Sequence, residues 1–150
     1  MRRNRTGRRQ WLALLLLLLS ACRPGCLLQR QSGGDRLTVV SWNVENLFDG
    51  TRDGSEYDQF DPGSGEWDTA RYHTRLREIA DAIAAMDPLP DILCLQEIEH
   101  EKVLKDLVTA YLGRSGLGYY TATRTEGSAI QVGLISRYPV TDTAVHAVSY

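Results

Sequence analysis

Pro90-Asp91-Ile92-Leu93-Cys94-Leu95-Gln96-Glu97-Ile98-Glu99 is the stretch on which the fold turns. From Asp91 to Gln96 it is a continuous apolar run of strand length, and a run of that kind marks a strand buried on both faces. Upstream, Leu37-Thr38-Val39-Val40-Ser41-Trp42 is rich in β-branched residues and ends at Asn43, which predicts another strand. Between the two, Tyr72, Leu76, Ile79, Ile83 and Met86 recur at spacings of four, three, four and three. That period predicts an amphipathic helix, with Asp68 or Thr69 as N-cap and Asp87-Pro88 as its stop. Strand, helix and strand in this order form a βαβ unit, so the strands should run parallel through a right-handed crossover. Their carboxyl ends then share one edge of the sheet, the edge where open α/β sheets bind ligands.

Outward from this unit, Glu101 to Leu112 predicts a second helix, with Leu104, Leu107, Val108 and Tyr111 on one side and Gly113 at its end. Three β-like stretches follow, Tyr119 to Arg124, Ala129 to Ser136 and Thr143 to Tyr150. The segment Phe48 to Asp68 is rich in Gly, Asp and Ser and too long for a hairpin turn, so it is expected to be functional or mobile. No internal repeat is evident.

The N-terminus has a different character. Arg2, Arg3, Arg5, Arg8 and Arg9 precede the nine-residue apolar run Trp11 to Leu19. A bilayer needs roughly 20 apolar residues for a spanning helix, so the run fits a secretion signal better than a membrane anchor. Leu19-Ser20-Ala21-Cys22 resembles the lipobox of bacterial lipoproteins, in which the cysteine receives lipid and becomes the new N-terminus. The expected organisation is a signal over 1–21, a Gly- and Pro-bearing tether over 22–36 and a domain over 37–150. Lipid on Cys22 would place that domain at a membrane of the bacterial envelope, since acyl chains contribute about 0.8 kcal/mol per buried methylene. Arg23 after the lipidated position, in place of Asp, favours the outer membrane. Cys26 falls in the tether and Cys94 in a strand, so the three cysteines form no disulfide framework.

Charge narrows the function classes. The chain holds 17 Lys and Arg against 19 Asp and Glu; five of the arginines lie within 1–21, which leaves 12 against 19, a net charge of −7. Non-specific nucleic-acid binding rests on basic patches that release counterions, and this composition gives no support to one.

Asn43 and Glu97 carry the chemistry. Each stands at the carboxyl end of a predicted strand, so an amide and a carboxylate reach one crevice on rigid elements. A hard cation such as Mg²⁺ takes oxygen ligands, typically one or two carboxylates with water and substrate phosphate completing the shell. The same residues at strand ends also serve as turn-formers or helix caps, and spacing alone does not separate these roles.

The segments Ser41-Trp42-Asn43-Val44-Glu45-Asn46-Leu47-Phe48-Asp49, Pro90 to Glu99 and Val132-Gly133-Leu134-Ile135-Ser136-Arg137-Tyr138-Pro139-Val140 together resemble the N-terminal half of the endonuclease/exonuclease/phosphatase superfamily. That superfamily includes pancreatic-type deoxyribonucleases, abasic-site endonucleases, inositol polyphosphate 5-phosphatases and bacterial sphingomyelinases. The resemblance spans about Leu37 to Val140. It implies an α/β fold, the N-terminal half of a four-layer, deoxyribonuclease-like α/β sandwich, incomplete in this chain. It further implies that Glu97 is a direct metal ligand and that Asn43 helps set the metal and the nucleophilic water. The cofactor would be Mg²⁺ or Mn²⁺, and the substrate a phosphate ester, either nucleic acid or a smaller ester.

The resemblance also has gaps. The family's later histidine, its Gly-Asp-x-Asn and its terminal Asp-His pair have no counterpart between Met1 and Tyr150. His146 comes one strand too early, while His73 and His100 fall on helical segments and suit solvated or capping roles. Without a general base, the 150-residue chain is expected to be inactive, with exposed apolar faces. A non-catalytic surface lipoprotein using the same scaffold for binding is the competing expectation. Asp49, Asp53 and Gly54 suggest a calcium loop, but position 12 of that register is Phe60 rather than Glu. Glu56, Asp58 and Asp61 read as a solvated loop face, and Arg124 and Arg137 as surface arginines.

Overall fold

A computed structural model describes residues 36–146. The expected signal over 1–21, Cys22 and nearly all of the tether lie outside the described residues. Two strands pair in parallel as the βαβ reading requires: β1 spans Val39–Leu47 and β2 spans Ile92–Ile98, with Val39 opposite Ile92 and Asn43 opposite Gln96. Both run past their expected ends. Two antiparallel strands complete one mixed sheet, β3 at Tyr119–Ala122 and β4 at Gln131–Ser136, in the order β1-β2-β4-β3.

Helix α1 covers Thr69–Ala84 and buries Tyr72, Leu76, Ile79, Ala80 and Ile83, the stripe that the spacing predicts. Asp68 is its N-cap, and its side chain accepts the Arg71 N–H at 2.7 Å, satisfying one of the orphan donors of the first turn. Met86 lies past the helix end yet still packs against the core. Helix α2, at Glu101–Leu107, does not continue regularly to Leu112. Val108–Leu112 widens into a π-helical turn, and the expected single helix is corrected to two segments. The apolar spacing is blind to this change, because Leu107, Val108 and Leu112 stay buried throughout.

Both helices pack on one face of the sheet. Leu93 and Leu95 of β2 and Ile135 of β4 are fully buried beneath Leu76, Ile79, Leu104 and Leu107. Each such side chain contributes about 1.5–3 kcal/mol of transfer free energy. The opposite face has no second layer among the described residues. There Ile92, Cys94 and Gln96 are only half-buried, and Val39 and Val132 are 53% and 48% exposed. β2 is therefore buried on one face and not on two, and Cys94 is a half-buried residue of the open face and not of the core. The apolar run foreshadowed burial on both sides; the layer that would supply it is not among the described elements.

The expected strand over Thr143 to Tyr150 is likewise corrected. Residues 143–146 are irregular and exposed, and 147–150 lie outside the described residues. The loop after β1, expected to be functional or mobile, is tightly built. Phe48 is fully buried and stacks on Phe60 at 4.8 Å, Phe60 meets Trp67 edge-on at 5.2 Å, and the Trp67 indole N–H donates to the Asp49 carbonyl at 2.9 Å. Two 3-10 turns, Asp58–Phe60 and Pro62–Ser64, carry the chain across. Among the described residues no helix is long and apolar enough to cross a membrane.

Candidate functional site

The parallel pairing of β1 and β2 breaks where the polar residues begin. After Asn43 opposite Gln96 the next partners are Leu47 and Ile98, so three residues of β1 stand against the single Glu97 of β2. Glu45, Asn46 and Glu97 take up the mismatch with φ of 54°, 56° and 62°, a left-handed conformation that a glutamate rarely adopts. Holding a non-glycine residue there costs of order 1–3 kcal/mol, and such strain gathers at functional sites. The Val44 carbonyl freed by the bulge accepts from Arg75 Nη2 of α1 at 3.1 Å.

The break brings the two expected site residues together. Asn43 Nδ2 donates to Glu97 Oε1 at 2.6 Å, and Asn43 Oδ1 accepts the Glu45 backbone N–H at 2.8 Å. The amide thus presents its NH₂ to the carboxylate and spends its oxygen on the bulge, the reverse of an arrangement in which both oxygens face one ion. Asn43 acts here as a clamp that fixes one oxygen of Glu97. Among the described residues no protein donor reaches the other carboxylate oxygen, so the carboxylate can still ligate. Next to them, Gln96 Nε2 donates to Ser41 Oγ at 3.1 Å, which ties the two strands across the open face.

A second polar group lies at the same strand ends, and sequence reading did not assemble it. Asp49 and Glu99 are 2% and 4% exposed, and with His100 they bring one ligand-type atom each to within 4.8 Å of one another. Glu99 Oε2 accepts the Asp49 N–H at 2.7 Å, whereas Glu99 Oε1 and His100 Nδ1 are buried without a hydrogen-bond partner. His100 Nε2 stands 3.6 Å from Glu99 Oε2 and 3.7 Å from Asp49 Oδ2. Lys102 Nζ bridges Asp49 Oδ2 at 3.1 Å and Asp106 Oδ2 at 2.8 Å, and the Tyr72 hydroxyl also donates to Asp106, at 2.9 Å.

The electrostatics follow from burial. Burial pushes the Glu99 carboxyl up to about 7; the Asp49 N–H pulls back, and the charges of Asp49, Asp53 and Glu56 add to the rise. Burial followed by the Asp106 carboxylate raises the Tyr72 phenol far above its ordinary range. Burial alone would raise Asp106, but hydrogen bonds from Lys102 and Tyr72 hold it below the usual carboxylate value.

The sequence offered one signal for this cluster: Asp49 directly follows Leu47-Phe48, and Glu99 directly follows Ile98, so both acids emerge from core positions. His100 was expected to solvate or cap. It occupies the N-cap position of α2, makes no side-chain capping bond, and turns its ring toward the acids. His73 and His146 are exposed, with His73 beside the Tyr111 hydroxyl at 3.5 Å. Arg137 is a structural residue, its Nε donating to the Pro90 carbonyl at 3.2 Å beside Asp91. Arg124 lines an open groove of about 880 Å³ that also includes Glu99, His100 and Lys102. Cys22 lies outside the described residues.

A model of the endonuclease/exonuclease/phosphatase family matches the chain over residues 38–147. No curated protein and no solved structure matches it. The matched stretch includes both strand ends, the bulge at Asn43 and Glu97 and the loop at Asp49. The four-stranded mixed sheet with helices on one face is consistent with that family's α/β fold, of which the chain covers part. On this match across most of its length, the chain belongs to the endonuclease/exonuclease/phosphatase family.

Proposed function

We propose that this protein is a metal-dependent phosphoesterase in which Glu97 holds a Mg²⁺ or Mn²⁺ ion and Asn43 orients the Glu97 carboxylate. The family membership supports the reaction class, because members of this family generally use divalent metals. The observation that carries the residue assignment is the 2.6 Å bond from Asn43 Nδ2 to Glu97 Oε1 at the bulge where the regular pairing of β1 and β2 breaks. Its chemistry suits a hard cation: one carboxylate oxygen is fixed by a donor, the other has no donor among the described residues, and the open sheet face leaves room for water and phosphate. A bound cation would polarise a phosphoryl oxygen and stabilise the leaving oxygen. The chain's own residues supply position. The left-handed Glu97 backbone aims the carboxylate out of the strand, and the Asn43 amide limits its rotation.

The ester is a phosphodiester of nucleic acid or a smaller monoester, and the acidic composition gives no support to a non-specific nucleic-acid surface. The assay is hydrolysis of a chromogenic phosphodiester and a chromogenic phosphomonoester by the full gene product, with Mg²⁺ and with chelator. The expected result is turnover that requires metal and is lost in Glu97→Ala. Unchanged turnover in that variant would refute the metal role.

We also propose that the protein is exported and lipid-anchored at Cys22, on the support of the basic block, the apolar run and Leu19-Ser20-Ala21-Cys22. Labelled palmitate should be incorporated in growing cells and lost on Cys22→Ser; equal labelling of the two would refute it.

A further inference from the structure

The Asp49, Glu99 and His100 cluster is not needed for the reaction proposed at Glu97, yet it holds two features that a purely structural network avoids. Two carboxylates are almost fully withdrawn from water, and Glu99 Oε1, on a residue 4% exposed, has no hydrogen-bond partner. An unsatisfied buried oxygen of this kind costs about 1–3 kcal/mol, more when charged. Lys102, the cation that pairs with this cluster among the described residues, is shared between Asp49 and Asp106 and does not pair with Glu99. Asp53 and Glu56 bring further negative charge to Glu99, their carboxylates lying with it inside the same 4.8 Å limit.

We infer that Asp49, Glu99 and His100 form a second cation site, separate from Glu97, that takes a divalent transition ion of the Zn²⁺ class through one oxygen of each carboxylate and the His100 imidazole. Carboxylates alone would suit Mg²⁺, and the imidazole beside them shifts the preference toward a borderline cation. The spacing fits as well. Ligand atoms around a tetrahedral ion with bonds of about 2.0–2.1 Å stand roughly 3.3 Å apart. His100 Nε2 is already 3.6 Å from Glu99 Oε2 and 3.7 Å from Asp49 Oδ2, so a closure of a few tenths of an ångström brings the imidazole to ligand spacing from both carboxylates, and all three ligand atoms lie within 4.8 Å of one another. Glu99 and His100 line the open groove, which gives the ion an entry path and water a fourth position. Asp49 belongs to the loop after β1, Glu99 follows the end of β2 and His100 precedes α2, so the ion would add a link to the 2.7 Å bond from the Asp49 N–H to Glu99, the bond from the Glu99 N–H to the Leu47 carbonyl and the Lys102–Asp49 ion pair that already join these segments.

The site is independent of the reaction proposed above, and the test keeps the two apart. Chelator-treated full chain is titrated with Co²⁺, followed by its visible absorption, and with Zn²⁺, followed by the nitrogen resonances of the histidine rings. The expected result is a ligand-field spectrum, with a shift of the His100 nitrogens at one equivalent of Zn²⁺. His100→Ala and Glu99→Gln should each weaken binding by more than roughly 100-fold, since even outer-shell partners of a metal contribute 10–100-fold. Glu97→Ala should leave this binding unchanged. Lys102→Met removes the cation that competes for Asp49 and should tighten it several-fold, a change that a merely structural lysine would not produce. The wild-type resonance experiment decides the matter even where a variant fails to fold. Unshifted His100 nitrogens, equal affinity in His100→Ala, or loss confined to Glu97→Ala would overturn the site.

Discussion

Replacing Gly50 by alanine tests whether the loop after β1 is set by direct backbone contact with helix α1. A Cβ built on Gly50 would stand 2.5 Å from Thr69 Cα, 2.7 Å from Thr69 N and 2.8 Å from Thr69 Oγ1. Two of these are backbone atoms in the first residue of α1, next to the Asp68 cap, and cannot rotate away. The gap must open by about 1 Å to reach the roughly 3.5–4.0 Å at which carbon atoms attract. Overpacking of this kind costs typically 1–3 kcal/mol, and rigid neighbours place Gly50→Ala near the upper end. The alanine returns about 0.4–1 kcal/mol by restricting the unfolded chain, leaving a net loss of roughly 2 kcal/mol. Gly133 of β4 is the control. Its added Cβ would lie 2.6 Å from Ile98 Cδ1 and 2.8 and 3.0 Å from the Leu104 methyls, contacts as short but made by the far ends of flexible side chains. Rotation of those ends relieves most of the clash, so Gly133→Ala should lose about 1 kcal/mol or less once the same unfolded-state gain is subtracted. Urea unfolding followed by tryptophan fluorescence measures both, and Trp67, whose indole N–H holds the Asp49 carbonyl at 2.9 Å, reports on the loop itself. A Gly133→Ala variant as destabilised as Gly50→Ala, or a Gly50→Ala variant within about 0.5 kcal/mol of wild type, would show that backbone contact with Thr69 does not set the loop.

Three further expectations concern stability. The Glu99 carboxyl, raised from 4.5 to about 7, binds its proton more tightly in the folded than in the unfolded chain. In metal-free protein its contribution is therefore fully present below pH about 4.5 and is lost, by up to about 3 kcal/mol, as pH rises through 7; denaturant melts at pH 5 and 8 should show the fall and Glu99→Gln should flatten it. Glu97→Gly should be more stable than Glu97→Ala by about 1 kcal/mol, because only glycine relieves the φ of 62°, and equal melting of the two would show that the bulge stores no strain. Asp68→Ala removes the side chain that accepts the Arg71 N–H and should cost about 1 kcal/mol, read as a shift in the urea midpoint without a change in slope; a slope change would mean that the helix was not the unit affected.

The βαβ unit was legible because its signals are strong and local. A helical stripe from Tyr72 to Ile83 and two strands flanking it specify parallel pairing, and the structure pairs Val39 with Ile92 and Asn43 with Gln96. Periodicity carries no record of hydrogen-bond pattern, so the change from α to π geometry at Val108 left no trace in it. The apolar character of Ile92 and Cys94 describes what a strand can bury, not what covers it, and the open face of β2 was for that reason misjudged. At the site, spacing located Asn43 and Glu97 at one edge, but not which atom of the Asn43 amide faces the carboxylate. That depends on the bulge, whose Glu45 N–H claims Oδ1. The Asp49, Glu99 and His100 cluster was missed for a related reason: Asp49 lies 50 residues before Glu99 and meets it and His100 only because Leu47 and Ile98 pair beyond the bulge, where the Glu99 N–H donates to the Leu47 carbonyl.

The proposed function stands on Glu97, clamped by Asn43, binding the divalent ion. Titration of the chelator-treated chain with Mn²⁺, read by the loss of the free-ion paramagnetic resonance signal, tests it in His100→Ala so that only the Glu97 site is counted. Binding should disappear in Glu97→Ala and weaken by roughly 10–100-fold in Asn43→Ala, where the carboxylate loses the donor that orients it. Mn²⁺ bound with equal affinity by all three proteins would contradict it.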